Sequence, residues 1–175
     1  MEERSGEAFE LGEQLTVVGR KLPIGAAAPA FALDWLNPDD AAIHSVRLED
    51  SAGKVRLLTL VNSLDTPVCH IETRRWDALR SQLPAEVVVY TISMDLPFAQ
   101  ERWAKAENVG HALLSAHRST RFGEDYGALL KEWRLLQRAT FVIDRAGRIV
   151  HAEYVADQMT EPDYGAAAAA ARSAP

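Results

Sequence analysis

Residues 55–61 read Val-Arg-Leu-Leu-Thr-Leu-Val, a nearly continuous apolar run of the kind found in a strand buried on both faces. A short gap follows, and then Thr66-Pro67. Threonine is a good helix N-cap and proline is favoured at the first helical position, so a helix is expected from there to about Leu83, where Pro84 stops it. Its apolar positions, Val68, Ile71, Trp76, Leu79 and Leu83, fall roughly at helical spacing. A buried strand feeding directly into a helix is the unit of an α/β fold. The pattern repeats downstream. Glu86–Ser93 is a second buried strand, Pro97 opens a helix to about Glu107, and Ala112–Leu114 is a third strand. Ser119–Leu130 is expected to be helical but broken by glycines. Thr140–Asp144 and Ile149–Val155 form a hairpin with Gly147 in its turn, and Pro162 starts a final alanine-rich helix. Upstream, Leu15–Val18 and Leu22–Ile24 suggest a hairpin turning near Gly19-Arg20. The first fourteen residues read as a flexible arm before a single domain over 15–175. Strand and helix alternate through the middle and a hairpin closes one side, so the class is α/β with a mixed sheet.

A chain of 175 residues buries a real core without staples. The net charge of −6 comes without a basic block, which argues against nucleic acid as a partner. No apolar run is long enough to span a bilayer, and the acidic N-terminus lacks the apolar stretch of a secretory signal. With one cysteine there is no intrachain disulfide, so a reducing cytoplasmic setting is expected. The five histidines show no metal-ligand spacing and are expected mostly at the surface. Cys69-His70-Ile71-Glu72 is not a C-x-x-C, and there is no P-loop, G-x-S-x-G or G-x-G-x-x-G. No cofactor and no metal are expected.

Cys69 falls in the first turn of the helix after the buried strand. A lone cysteine is commonly a small buried hydrophobe. A helix N-terminus, however, presents unpaired N–H groups and the positive end of the macrodipole, both of which favour the nucleophilic thiolate. Position alone leaves inert and reactive readings evenly balanced.

The segment Ser63-Leu64-Asp65-Thr66-Pro67-Val68-Cys69, with Glu72-Thr73-Arg74-Arg75 after it, resembles the peroxidatic loop of the peroxiredoxins, in particular the bacterial thiol peroxidase branch. Ile92–Gln100 with Arg102-Trp103, Phe122-Gly123 with Tyr126-Gly127, Arg134–Leu136 with Arg138-Ala139, and Thr160–Tyr164 are similar to further motifs of that branch. Together they span about Leu15 to the C-terminal helix. The resemblance implies a thioredoxin-like fold, a homodimer, and reduction of hydrogen peroxide or organic hydroperoxides. By position it makes Cys69 the attacking thiol. It makes Thr66 a hydroxyl that hydrogen-bonds thiolate and peroxide, and Arg138 the active-site arginine. Thr66 also reads as a plain N-cap, and the two roles are compatible. Arg138 by itself reads as a solvated charge unless its head turns into a site at the start of the following strand. Two positions depart from the branch. Asn62 stands where a shielding proline is usual, bringing an amide that could hydrate the pocket or bond the sulfur. Ala104 stands where a resolving cysteine is usual. The oxidised sulfur therefore needs an external thiol or thioredoxin-type reductant, or a second chain, which points to a one-cysteine cycle. A peroxide sensor and a catalytically weakened scaffold are the rival readings.

Overall fold

The computed structural model describes residues Met1–Pro175. Its strands and helices, in chain order, are β1 (Glu3–Glu10), β2 (Glu13–Val18), β3 (Ala32–Leu36), β4 (Ile43–Arg47), β5 (Arg56–Leu60), α1 (Pro67–Leu79), β6 (Val88–Ser93), α2 (Pro97–Glu107), β7 (Ala112–Ser115), α3 (Arg121–Asp125), β8 (Leu129–Leu130), β9 (Leu135–Leu136), β10 (Ala139–Ile143), β11 (Ile149–Tyr154) and α4 (Tyr164–Ser173). Seven strands form the central mixed sheet in the order β11-β10-β5-β6-β7-β3-β4. β5, β6 and β7 run parallel, joined by α1 and α2; on one side β10 pairs antiparallel with β5, and β11 antiparallel with β10.

The apolar run at 55–61 is the centre of this sheet, and every residue of β5 is buried. Side chains alternate along it. Leu57 joins Trp76 of α1 and Ala167, Ala168 and Ala171 of α4 in one core. Leu58 and Leu60 join Ile92, Leu114, Phe122 and Phe141 in another on the opposite face. The alanine run of α4 is therefore a packing surface, capped at its start by Asp163, whose carboxylate accepts the N–H of Ala166 at 2.9 Å.

Three expectations need correction. The first fourteen residues are no flexible arm: β1 pairs antiparallel with β2, and Ala8 is fully buried. The sequence there lacks a clean alternation, and distant backbone adds to the hold of β2: Phe9 donates to Ala156 at 2.7 Å and accepts from Gln158 at 2.8 Å. The hairpin read at 15–24 likewise pairs backward to β1 rather than forward. The stretch 119–130 forms only the short α3 before turning into β8, which adds to a small sheet ordered β1-β2-β8-β9. At the crossing, Gly127 has φ +63° and the backbone of Arg20 lies where a side chain would go, so a residue with a Cβ is excluded there.

Candidate active site

The face of α1 turned to the sheet is not the apolar set expected from the sequence. Ile71 is exposed, and the buried positions are Cys69, Glu72, Thr73 and Trp76. These are spaced i, i+3, i+4, i+7, as a helix stripe must be. Three of the four are chemically functional, and burial is possible because each finds a partner. Thr73 Oγ1 donates to the Cys69 carbonyl at 2.8 Å, and Thr59 Oγ1 of β5 donates to Glu72 at 2.5 Å. Glu72 also forms an ion pair with Arg138.

Arg138 immediately precedes β10. Because Ala139 pairs with Leu60, the register brings Arg138 level with Val61, beside the loop that leads to Cys69. Its side chain is fully buried. Nη1 meets Glu72, and Nη2 donates to the Gln158 carbonyl at 2.7 Å and to Cys69 Sγ at 3.4 Å. Burial alone opposes the Arg138 charge, but Glu72 first and Cys69 second more than offset it, holding its pKa above the usual arginine value. Burial also pushes the Glu72 carboxyl up, against the pull of Arg138 and Thr59.

Asn62 also approaches the sulfur. Its Nδ2 donates to the Leu136 carbonyl at 2.7 Å and to Gln158 Oε1 at 3.1 Å. With both amide protons used, its Oδ1 is the atom left near Cys69 Sγ, at 3.9 Å. The amide thus offers the thiol an acceptor. Gln158 is the hub of this arrangement: its Oε1 also accepts the Arg138 N–H at 2.9 Å, and its Nε2 donates to Val155 and Ala156 carbonyls.

Thr66 occupies the N-cap position with extended backbone, but its side chain makes no cap bond. Its hydroxyl donates to the Ser63 carbonyl at 2.8 Å and makes no hydrogen bond to Cys69. The oxygen keeps its lone pairs for an incoming donor. The loop itself is held by Asp95, whose carboxylate accepts from Ser63 Oγ (2.7 Å), the Leu64 N–H (2.9 Å) and Ser93 Oγ (2.8 Å).

Cys69 is fully buried, and neither a cavity of about 610 Å³ nor one of about 290 Å³ has it in its lining. It packs with Val61, Leu64 and Leu113, and Ala104 of α2 lies against this cluster. His70 turns away from the sulfur: its Nδ1 accepts from Trp103 Nε1 at 3.1 Å, and its Nε2 lies 3.4 Å from Glu107. Of the histidines expected at the surface, His111 is instead buried, bonded to Asp77 at 2.9 Å and Thr91 at 2.7 Å.

The sequence therefore named Cys69 and Arg138, and the structure brings them into contact. It missed the roles of Glu72, Asp95 and Gln158. Glu72 and Asp95 lay inside quoted motifs, as polar residues within otherwise core-forming elements. Gln158 carried no local signal, since the partners that tie it to the site, Arg138 and Asn62, lie 20 and 96 positions away.

Residues 24–152 match the model of the AhpC/TSA family. The chain is 45% identical over 161 residues to a thiol peroxidase of Listeria monocytogenes serotype 4b (strain F2365), covering 91% of this chain and 94% of that one. It is 40% identical over 154 residues to a thiol peroxidase of Bacillus subtilis (strain 168), covering 87% and 89%. The fold is similar to the crystal structure of a peroxiredoxin-like protein from Aquifex aeolicus, with a TM-score of 0.80, 28% identity, and coverage of 95% and 96%.

Proposed function

The chain belongs to the AhpC/TSA family, and on that premise we propose that it is a thiol peroxidase of the peroxiredoxins that works from one cysteine. The observation that carries this reading is the buried contact of Arg138 Nη2 with Cys69 Sγ at 3.4 Å in the first turn of α1. A fixed guanidinium donor beside the sulfur, in the first turn of α1, is placed to stabilise the negative charge that moves from sulfur to oxygen during attack.

In this reading the Cys69 thiolate attacks the terminal oxygen of hydrogen peroxide or an organic hydroperoxide. The S–O bond forms as the O–O bond breaks, and the remaining oxygen leaves as water or alcohol after taking up a proton. Arg138 stabilises the charge that passes from sulfur to the departing oxygen. Thr66, its own proton held by Ser63, accepts a hydrogen bond from the peroxide and orients it. Sulfur ends as sulfenic acid, two electrons more oxidised. An external thiol attacks that sulfur and water leaves, giving a mixed disulfide, and a second thiol frees Cys69. The sequence holds no second cysteine, and Ala104 beside the Cys69 cluster contributes only packing. A reductant of the thioredoxin type, a second copy of the chain as dimer partner, and a cytoplasmic setting belong to the same reading. No helix is long and apolar enough to cross a membrane.

Peroxide consumption with dithiothreitol or a thioredoxin system as reductant tests it. We expect many turnovers per chain and none in Cys69→Ser. A single oxidation of Cys69 per chain, followed by arrest with both reductants, would replace the enzyme by a stoichiometric peroxide sensor.

A further inference from the structure

The central sheet has a second face, turned away from Cys69. Along β5, Thr59 reaches Glu72 of α1, so the alternate residues Arg56, Leu58 and Leu60 point to the other side. Over that side, between β3, the turn at 48–51 and α3, lies the cavity of about 610 Å³. That volume is in the range of small-molecule sites. Phe31, Leu33, Leu48 and Phe122 give it apolar walls, and Arg56 is part of its lining.

Arg56 is 3% exposed. Its Nη1 donates to the carbonyls of Lys54 and Asp144, but its Nε–H is buried and meets no acceptor. The Asp144 carboxylate accepts the backbone N–H of Arg148 and acts on Arg56 only through space. The other arginines of the lining are matched: Arg118 to Asp34 at 2.6 Å, Arg121 to Asp125 at 3.2 Å, and Arg47 to Glu49 at 3.1 Å. Four arginines against three acids leave one positive charge, and it is the buried one. A guanidinium out of water without an ion partner is an unfavourable arrangement that an anion would relieve. Its Nε and outer Nη form the edge that suits a carboxylate with two parallel hydrogen bonds.

We infer that this cavity binds a small organic monoanion, a carboxylate on an apolar body, with the carboxylate on the Nε edge of Arg56 and the body against Phe31, Leu33, Leu48 and Phe122. One unmatched charge selects a monoanion over a phosphate dianion, and the walls select an apolar body over a polar one. The site lies across the sheet from Cys69 and does not depend on the peroxidase reading.

Octanoate, titrated into the isotopically labelled full chain and followed by amide chemical shifts, tests the inference. Shifts should cluster at Leu33, Leu48, Ala116 and Phe122, with octan-1-ol binding at least about tenfold more weakly because it lacks the charge. Arg56→Met should lose a comparable factor for octanoate and none for octanol. The octanol comparison needs no variant, so it stands even if Arg56→Met folds poorly. Equal binding of alcohol and acid, shifts centred elsewhere, or no response to millimolar octanoate would each overturn the site. So would cavity residues already covered by a second copy of the chain.

Discussion

At the scale of single residues, the proposed chemistry rests on one guanidinium serving three groups. Arg138 holds Glu72 through Nη1, and through Nη2 it holds both the Gln158 carbonyl and Cys69. A lysine ammonium is a point charge and cannot keep that planar fork. We therefore expect Arg138→Lys to slow the oxidation of Cys69 by roughly 10²- to 10³-fold, the range typical of losing a fixed donor to developing charge. Stopped-flow tryptophan fluorescence against hydrogen peroxide measures it, and an unchanged rate removes the guanidinium from the mechanism. Asn62 calls for the opposite kind of test. A proline there would shed the amide bonds to Leu136 and Gln158, so Asn62→Pro should cost about 1–3 kcal/mol in urea unfolding and should not speed attack on peroxide. A faster enzyme with an unshifted midpoint would mean the amide is a handicap rather than an anchor. Cys69 and Arg138 were legible in the sequence because their motifs are local. Gln158 was not, since its meaning comes from contacts with Arg138 and Asn62 that only the folded chain creates.

Among the elements, the strand β5 and the start of α1 followed from apolar run, cap and proline, and both stand within a residue of where the sequence placed them. The buried face of α1 did not follow. Apolar counting favours Ile71, whereas the helix turns inward the polar residues that β5 and Arg138 can satisfy, a choice dictated by partners on other strands. The N-terminal strand was missed for a related reason: beside its ladder with the adjacent β2, it is tied to residues 137, 156 and 158, beyond any local pattern. That strand braces the segment carrying Gln158, because Gln158 N–H donates to Phe9 and Gln137 Nε2 donates to the Glu7 carbonyl at 2.8 Å. Removing residues 1–11 should therefore do more than shorten the chain. It uncovers Leu15 and Val17, costing about 2–4 kcal/mol of stability, and it loosens Gln158 under Arg138. Thermal unfolding and peroxide turnover should fall together. A truncated chain with full stability and rate would show that β1 is dispensable.

For the molecule as a whole, acid stability is set by buried groups that ion pairing on the surface does not reveal. His111 ties the end of the α2 connection to α1 and β6: Nδ1 faces Asp77, and Nε2 faces Thr91. Asp77 Oδ1 also accepts the N–H groups of Gly110 and His111, at 3.0 and 3.1 Å. Burial holds the His111 pKa below the ordinary histidine value, against the pull of Asp77, and burial lowers His151 in the same direction. The hydrogen bond from His111, with the Gly110 N–H behind it, holds Asp77 down to about 2 despite burial. Both depressions act with one sign. The unfolded chain takes up protons that the folded chain refuses, so stability rises with pH across each window. For the histidines the loss begins as pH falls through about 6.5, their unfolded value. For Asp77 it begins near about pH 4 and continues down towards its folded value. The melting temperature should thus decline in two stages on acidification, the first well above the range where ordinary carboxylates titrate. His111→Gln should flatten the first stage, leaving the part due to His151, and should also shrink the second, because the His111 hydrogen bond is the largest influence holding Asp77 down. A wild-type profile level between about pH 7.5 and 5, or an identical first stage in the variant, would show that His111 does not set it.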